Sequence, residues 1–585
     1  MRILLLVHSF NSLAQRLYVE LTRDGHELSV ELDIHDRVTS EAVELFKPDL
    51  ILAPFLKRAI PPSLWQRHLC LIVHPGPPGD RGPSALDWAI LRGVDRWGVT
   101  VLQAEADLDA GAVWASASFA MRTARKSSLY RNEVTEGAVG AVREALARAA
   151  AGAGPLSAAN EGLGGDRGGR AGGTEPGWQP LLRQAQRAIN WSRDDTATVL
   201  RKIHSADGFP GVEDRLFDRC FRLFDARPEM HLAGRPGVII ARRHGAICRA
   251  TRDGAVWIGQ LQPVEGSQRS FKRPAALALG ALADTLPYTD DDAIDAGGFG
   301  GDGEIHYEEH GAVGYLHFDF YNGALSTAQC ERLRAAFARS RRRPTRVIVL
   351  MGGSDFWCNG MHLHCIEAAD SPADASWDNI RCIDDFARDI LLTDTHVTIA
   401  ALQGSAAAGG VFLALAADRV LARSGVVLNP HYRNMGNLYG SEYWTYLLPR
   451  RVGAEQAQTL MARRLPLGTT EARSLRLIDD HAGPDAATFR ALVDALAAEL
   501  ATEDRFSRAM ADKCVARARD EHVRPLADYR SAELEHMRMN FYGFDPSYHI
   551  ARHRFVYRTP HAWTPLHLAR HRRVAAPVRR EPTSA

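Results

Sequence analysis

Apolar positions in residues 1–150 fall into short runs separated by stretches of helical period. Residues 3–8, 28–32, 50–53 and 69–74 are nearly continuous apolar runs, whereas 11–24 and 40–46 repeat apolar residues at three- and four-residue spacing. Buried strands alternating with amphipathic helices predict a parallel α/β sheet. The pattern changes further on. Runs at 237–242, 247–250 and 255–261 are joined by His244-Gly245 and Asp253-Gly254, which predicts a small antiparallel β module. Strand-like runs recur at 313–318, 346–351 and 397–403, each followed by helical periodicity, so the last part is again α/β. No internal repeat relates the two α/β parts.

Two stretches poor in apolar residues interrupt this pattern. One covers 149–177 and includes Gly162-Leu163-Gly164-Gly165; the other covers 263–303 and includes Asp290-Asp291-Asp292 and Gly297-Gly298-Phe299-Gly300-Gly301. A phosphate-cradling glycine loop follows a strand and opens a helix; residues 162–169 do neither and read as a linker. The expected modules are 1–155, 180–268 and 303–565, with a disordered basic tail after Arg570. At roughly 100–200 residues per domain, three modules suit the 585-residue length.

Charge and cysteine usage narrow the class. With 71 Lys+Arg against 70 Asp+Glu, the net charge of +1 lacks the basic footprint of a nucleic-acid binder. Eight cysteines without CxxC pairs fit a reducing, cytoplasmic setting. The apolar start Met1-Arg2-Ile3-Leu4-Leu5-Leu6-Val7-His8 is too short for a signal peptide, and no run approaches the roughly 20 apolar residues of a membrane span.

The first candidate site lies where residues 69–74 end in His74-Pro75-Gly76-Pro77-Pro78-Gly79-Asp80-Arg81-Gly82. Ligands of parallel sheets sit at strand carboxyl ends, which is where His74 falls. Farther on comes Ala106-Asp107-Leu108-Asp109-Ala110-Gly111, and a His and an Asp at neighbouring strand ends can shuttle and orient a proton. His74 with its Pro/Gly loop, Gly82-Pro83-Ser84, Gly98-Val99-Thr100 and Leu108-Asp109-Ala110-Gly111 resemble the 10-formyltetrahydrofolate-dependent formyltransferases. Ala188-Ile189-Asn190-Trp191-Ser192, Gly234-Arg235-Pro236-Gly237 and Asp253-Gly254 are similar to that family's OB-like C-terminal domain. The resemblance implies that His74 and Asp109 assist formyl transfer. The family has an Asn two residues before the His, and this chain has Ile72. Losing one oxyanion donor costs about 10²–10³ in rate, so a different donor or a better nucleophile such as a thiol is expected. Gln15 and Arg131 are candidate contacts to the acceptor.

The second candidate site is formed by two glycine-rich strand-to-helix turns, Gly352-Gly353-Ser354 through Asn359-Gly360-Met361 and Gly404-Ser405-Ala406-Ala407-Ala408-Gly409-Gly410. Such turns expose N–H groups at a positive helix end, and two side by side could hold a thioester oxyanion. They resemble the crotonase (enoyl-CoA hydratase/isomerase) superfamily, with further matches at Asp418, Pro449-Arg450-Arg451-Val452-Gly453 and Thr470-Glu471-Ala472. The resemblance implies oxyanion N–H groups on Met361 and Gly409. The two hydratase glutamates fall on Phe412 and Tyr432, so water addition is not expected. Bulky Glu442 and Tyr443 replace small residues over the acyl group; Glu442 becomes the working carboxylate, with Tyr432 and Tyr439 as its expected hydrogen-bonding partners. Cys358, His362, His364 and Cys365 could be read as zinc ligands, but their spacing matches no standard pattern and no metal is expected.

The order of modules, together with the Tyr-rich segment, resembles a family of hydrogenase maturation factors over nearly the whole chain. The resemblance implies an α/β multidomain protein that passes formyl from 10-formyltetrahydrofolate to coenzyme A. It also implies decarbonylation of the resulting formyl-CoA to CO, the iron ligand of a [NiFe]-hydrogenase. It further implies small-molecule substrates and hydrogenase maturation proteins as partners. Asn322 and Arg558 are candidate CoA contacts. A formyl-CoA hydrolase releasing formate and a non-catalytic one-carbon carrier stay open as alternatives.

Overall fold

The computed structural model describes residues 1–157, 177–266, 269–289, 303–483 and 485–573. The linker stretches at 162–169, 290–292 and 297–301 lie outside these residues. Strands β1 (Arg2–Val7), β2 (Glu27–Leu32), β3 (Leu50–Phe55), β4 (Cys70–His74), β5 (Arg96–Gln103) and β6 (Val113–Ala120) form one sheet in the order β2-β1-β3-β4-β5-β6. The first four pair in parallel, and their buried faces form a core with the helices Ser12–Arg23 and Thr135–Ala150. The Asn11 side chain caps the first of these helices by accepting from the Ala14 N–H at 3.0 Å. β5 and β6 extend the sheet in antiparallel sense, a direction that a fully buried apolar run does not encode.

The second module is antiparallel as expected but larger. β7 (Val212–Leu216), β8 (Arg219–Glu229), β9 (Ile239–Arg243), β10 (Ala246–Ala250) and β11 (Ala255–Pro263) run in the order β7-β8-β11-β10-β9, and β12 (Arg273–Pro274) pairs with β11. Arginines and acids on the open face of β7 and β8 hid both strands from an apolar count. The expected break at 263–303 is corrected in its first part. Helices Ala275–Leu279 and Ala281–Asp284 fold back, and Ala275, Ala278 and Leu279 join the module's core because their apolar side chains cover β11.

The third module has a main sheet of β13 (Ile305–His310), β14 (Val313–Phe318), β15 (Val347–Gly352), β17 (Val397–Leu402), β19 (Arg419–Arg423) and β22 (Asp480–Ala482). A smaller sheet holds β16 (Phe356–Cys358), β18 (Ser405–Ala407), β20 (Val427–Asn429) and β21 (Leu467–Gly468). β15, β17 and β19 each lead into a strand of the smaller sheet, so the turns between them gather at one end.

Buried charge joins the three modules. Arg125 pairs with Asp225 at 2.5 Å, Asp355 at 3.6 Å and Asp319 at 4.0 Å, which places one guanidinium among acids of the second and third modules. The start of the C-terminal tail is also ordered, contrary to expectation. Glu31 on β2 is buried and binds His571 at 2.9 Å and Arg572 at 3.3 Å, so leaving the tail loose would strand a buried carboxylate. Residues from 574 onward lie outside the described set. Among the described residues no helix is long and apolar enough to cross a membrane.

Candidate functional site

At the first cleft, β4 and β5 pair so that His74 lies opposite Thr100. The Thr100 hydroxyl donates to Gly76 O and the Trp97 indole to Pro75 O, both at 2.8 Å, so the loop after His74 is pinned to β5. Asp109 stands in the turn between β5 and β6 with φ of 54° and accepts from the Gly82 N–H at 3.1 Å. Its Oδ1 lies 3.5 Å from His74 Nδ1, so the residues paired from sequence meet in space. A second carboxylate, Asp80, lies 2.8 Å from His74 Nε2.

At the second cleft, the two glycine-rich turns abut. A Cβ at Gly410 would come 2.0 Å from Cys358 O, and one at Gly360 would come 3.4 Å from Gly409 N. The clash at 410 demands glycine, and Gly360 suits glycine through its φ of 76°. Gly409 begins the helix Gly409–Leu415, where a first-turn N–H has no acceptor within the helix. Glu442 faces this point, with Oε1 2.0 Å from where a Gly409 Cβ would stand. The Tyr432 hydroxyl donates to Glu442 Oε2 at 2.6 Å, and its ring stacks on Phe412 with centroids 5.3 Å apart. Phe412 and Tyr432, where the resemblance implies hydratase glutamates, are an aromatic pair beside the Glu442 carboxyl.

Two further buried acids shape the turn that presents Glu442. Asp384 accepts from the Glu442 N–H at 2.7 Å and the Ser441 hydroxyl at 2.8 Å; Glu533 accepts from the Tyr443 N–H at 2.9 Å and the Thr445 N–H at 2.8 Å. Burial, and then the neighbouring Asp384, hold the Glu442 carboxyl well above the ordinary glutamate range. Burial pushes Asp384 up to about 6 and Glu533 up to about 8. Three carboxyls sharing a dry site cannot all ionise cheaply.

One cavity of about 2890 Å³ is lined both by His74 and Asp109 and by Met361, Gly409 and Glu442. Gln15, Arg131, Asn322 and Arg558, singled out as binding residues, also line it. Arg131 lies 4.5 Å over the Phe356 ring and 3.5 Å from Asp355, and Arg558 donates to Gly208 O at 3.0 Å.

Comparison with known proteins accounts for this arrangement. Residues 20–146 match the formyl transferase family, 181–273 the formyl transferase C-terminal domain, and 308–561 the enoyl-CoA hydratase/isomerase family. The chain is 52% identical over 579 residues to the hydrogenase maturation factor HoxX of Bradyrhizobium diazoefficiens, covering 99% of each chain. It belongs to the HypX/HoxX hydrogenase maturation factors. The crystal structure of HypX from Aquifex aeolicus in complex with tetrahydrofolic acid superposes with a TM-score of 0.92 at 48% identity, covering 98% of this chain and 99% of that one. Methionyl-tRNA formyltransferase of Citrifermentans bemidjiense is 23% identical over 256 residues, 43% of this chain and 76% of that one.

One site expectation for this HypX/HoxX chain is corrected. Tyr439 does not bind Glu442: its ring stacks on His536 at 4.1 Å and against Trp444 at 5.4 Å, because its backbone N–H is drawn to Asn540. His362 Nδ1 accepts from the Cys365 N–H at 3.2 Å as a helix cap. Sequence reading missed Asp80, Asp384, Glu533 and His431. His431 is buried on the cavity wall, both its ring nitrogens lack a hydrogen-bond partner among the described residues, and burial lowers its pKa to about 4. Its place directly before Tyr432 was the one available signal.

Proposed function

We propose that this chain makes carbon monoxide for [NiFe]-hydrogenase maturation from 10-formyltetrahydrofolate and CoA, both bound as substrates in the cytoplasm. The single cavity shared by His74–Asp109 and Gly409–Glu442 carries this reading, because it lets one thioester reach both groups without release. Gln15, Arg131, Asn322 and Arg558 are the proposed polar contacts of the substrates along the cavity.

In the first step His74 takes the thiol proton as sulfur attacks the formyl carbon. The bond from that carbon to folate N10 breaks, N10 recovers the proton from His74, and Asp109 balances the imidazolium charge. A thiolate is a strong nucleophile, which offsets the missing amide at Ile72.

In the second step the Met361 and Gly409 N–H groups hold the carbonyl oxygen of formyl-CoA. Glu442, carrying a proton at rest, donates it to the departing sulfur. The resulting carboxylate removes the formyl hydrogen, leaving CO and CoA with atoms and charge balanced. The Phe412–Tyr432 stack keeps water from the acyl carbon, which disfavours hydrolysis. Hydrogenase maturation proteins are the proposed recipients of the CO.

The test is isotope-labelled 10-formyltetrahydrofolate with CoA and the purified protein alone. Labelled CO in the headspace is expected; labelled formate without CO would overturn the second step.

A further inference from the structure

Formyl transfer needs one ring nitrogen of His74, yet the chain also builds around the other. His74 Nε2 lies 2.8 Å from Asp80 Oδ2, and the two residues are 4% and 6% exposed. The backbone makes room for the pair: a Cβ at Gly76 would stand 2.4 Å from Asp80 Oδ2 and 2.6 Å from His74 Nε2. The Asp80 N–H closes a turn onto Pro77 O at 3.0 Å, which folds the carboxylate back under the ring. His74 and Asp109 line the cavity, and Asp80 stands behind them.

A neutral imidazole has one N–H and one bare nitrogen, and an ionised carboxylate only accepts. The nitrogen at hydrogen-bond distance from Asp80 therefore carries the hydrogen. Nδ1, on the Asp109 side, is left bare.

We infer that Asp80 is the positioning carboxylate of the formyl-transfer site, fixing His74 as the Nε2–H tautomer so that Nδ1 is the base. The inference rests on the proposed formyl transfer and deepens it. The S–H proton passes to Nδ1 while the S–C bond forms and the C–N10 bond breaks. Nδ1 then returns the proton to N10. Asp80 on the Nε2 side joins Asp109 in stabilising the transient imidazolium. Asp109, held by the Gly82 N–H, is free to contact the substrate side of the ring.

Asp80→Asn is the direct test on the full-length chain, read as formyl-CoA formation. A wrong tautomer costs up to about 10⁴-fold, so kcat should fall by about 10²–10⁴ with both KM values within about twofold. Because Asp80 acts through His74, Asp80→Asn should cost nothing further in a His74→Ala background. An unchanged kcat, a lost folate affinity, or an equal loss in the His74→Ala background would each overturn the inference. If the wild-type chain forms no formyl-CoA, the proposed function fails and this inference with it; if only the variant comparison fails, the function stands. If Asp80→Asn does not fold by circular dichroism, ¹⁵N NMR of the wild-type imidazole, assigned against His74→Ala, decides. An Nε2–H tautomer supports the inference, and an Nδ1–H tautomer overturns it.

Discussion

Glu442 is held against Gly409. A Cβ built at residue 409 would stand 2.0 Å from Glu442 Oε1, and the Tyr432 hydroxyl binds the opposite oxygen at 2.6 Å. The Gly409 backbone and the Glu442 carboxyl, proposed to hold the carbonyl oxygen and to move the protons, therefore form one unit.

Glu442→Gln keeps the shape and removes the transferable proton. General acid–base catalysis supplies about 10²–10⁴-fold, so CO output should fall by that factor while formyl-CoA accumulates. Headspace gas analysis together with chromatography of thioesters measures both. Unchanged CO would remove Glu442 from the mechanism.

Gly409→Ala should be more severe than a methyl group suggests. The added carbon must displace Glu442, and overpacking of a buried site costs about 1–3 kcal/mol. The expected result is a lowered Tm and loss of CO output with formyl transfer retained. Differential scanning calorimetry and the two product assays separate the effects.

Arg125→Met tests the junction of the modules. It removes the guanidinium that both buried acids share, leaving Asp225 with Arg227 at 3.8 Å and Asp355 with Arg131 at 3.5 Å. Losing a charged hydrogen-bond partner in a buried site costs about 1–3 kcal/mol, and that loss is expected in urea unfolding. A loss below about 1 kcal/mol would show that the guanidinium is not holding the modules together.

Glu533 gives stability a pH dependence of stated sign. Burial, and next the Asp384 charge, raise it from the ordinary 4.5 to about 8. Between these values the folded chain holds a proton that the unfolded chain has lost. The contribution is fully present below 4.5 and disappears as pH rises through about 8. Glu533→Gln removes this titration, so the decline in urea midpoint over that range should be shallower than in the wild type.

Much of the second cleft could be read from sequence because its chemistry is local. Gly409, Gly360 and Met361 belong to strand-to-turn segments whose glycines announce close backbone approach, and Glu442 stands out as a carboxyl in an aromatic run. His74, which ends β4, and Asp109, in the turn after β5, were legible through the local motifs that carry the formyltransferase resemblance. Tyr439 misled because three residues of spacing say nothing about which way a side chain leaves an irregular loop. Helix Ala275–Leu279 was lost in a stretch judged by its overall composition.

The sequence by itself determined the multidomain α/β plan, since periodicity is a property of neighbouring residues, and its resemblance to two families pointed to the candidate residues of the two clefts. Only the tertiary structure decided that both clefts open into one cavity. It also decided that Asp80 turns back onto His74, and that Asp384 and Glu533 hold the turn bearing Glu442. These depend on contacts such as Asp384 with Glu442, separated by 58 residues, and Glu533 with Tyr443, separated by 90. Such contacts form only when packing brings distant segments together and burial makes an unpaired carboxylate too costly to leave.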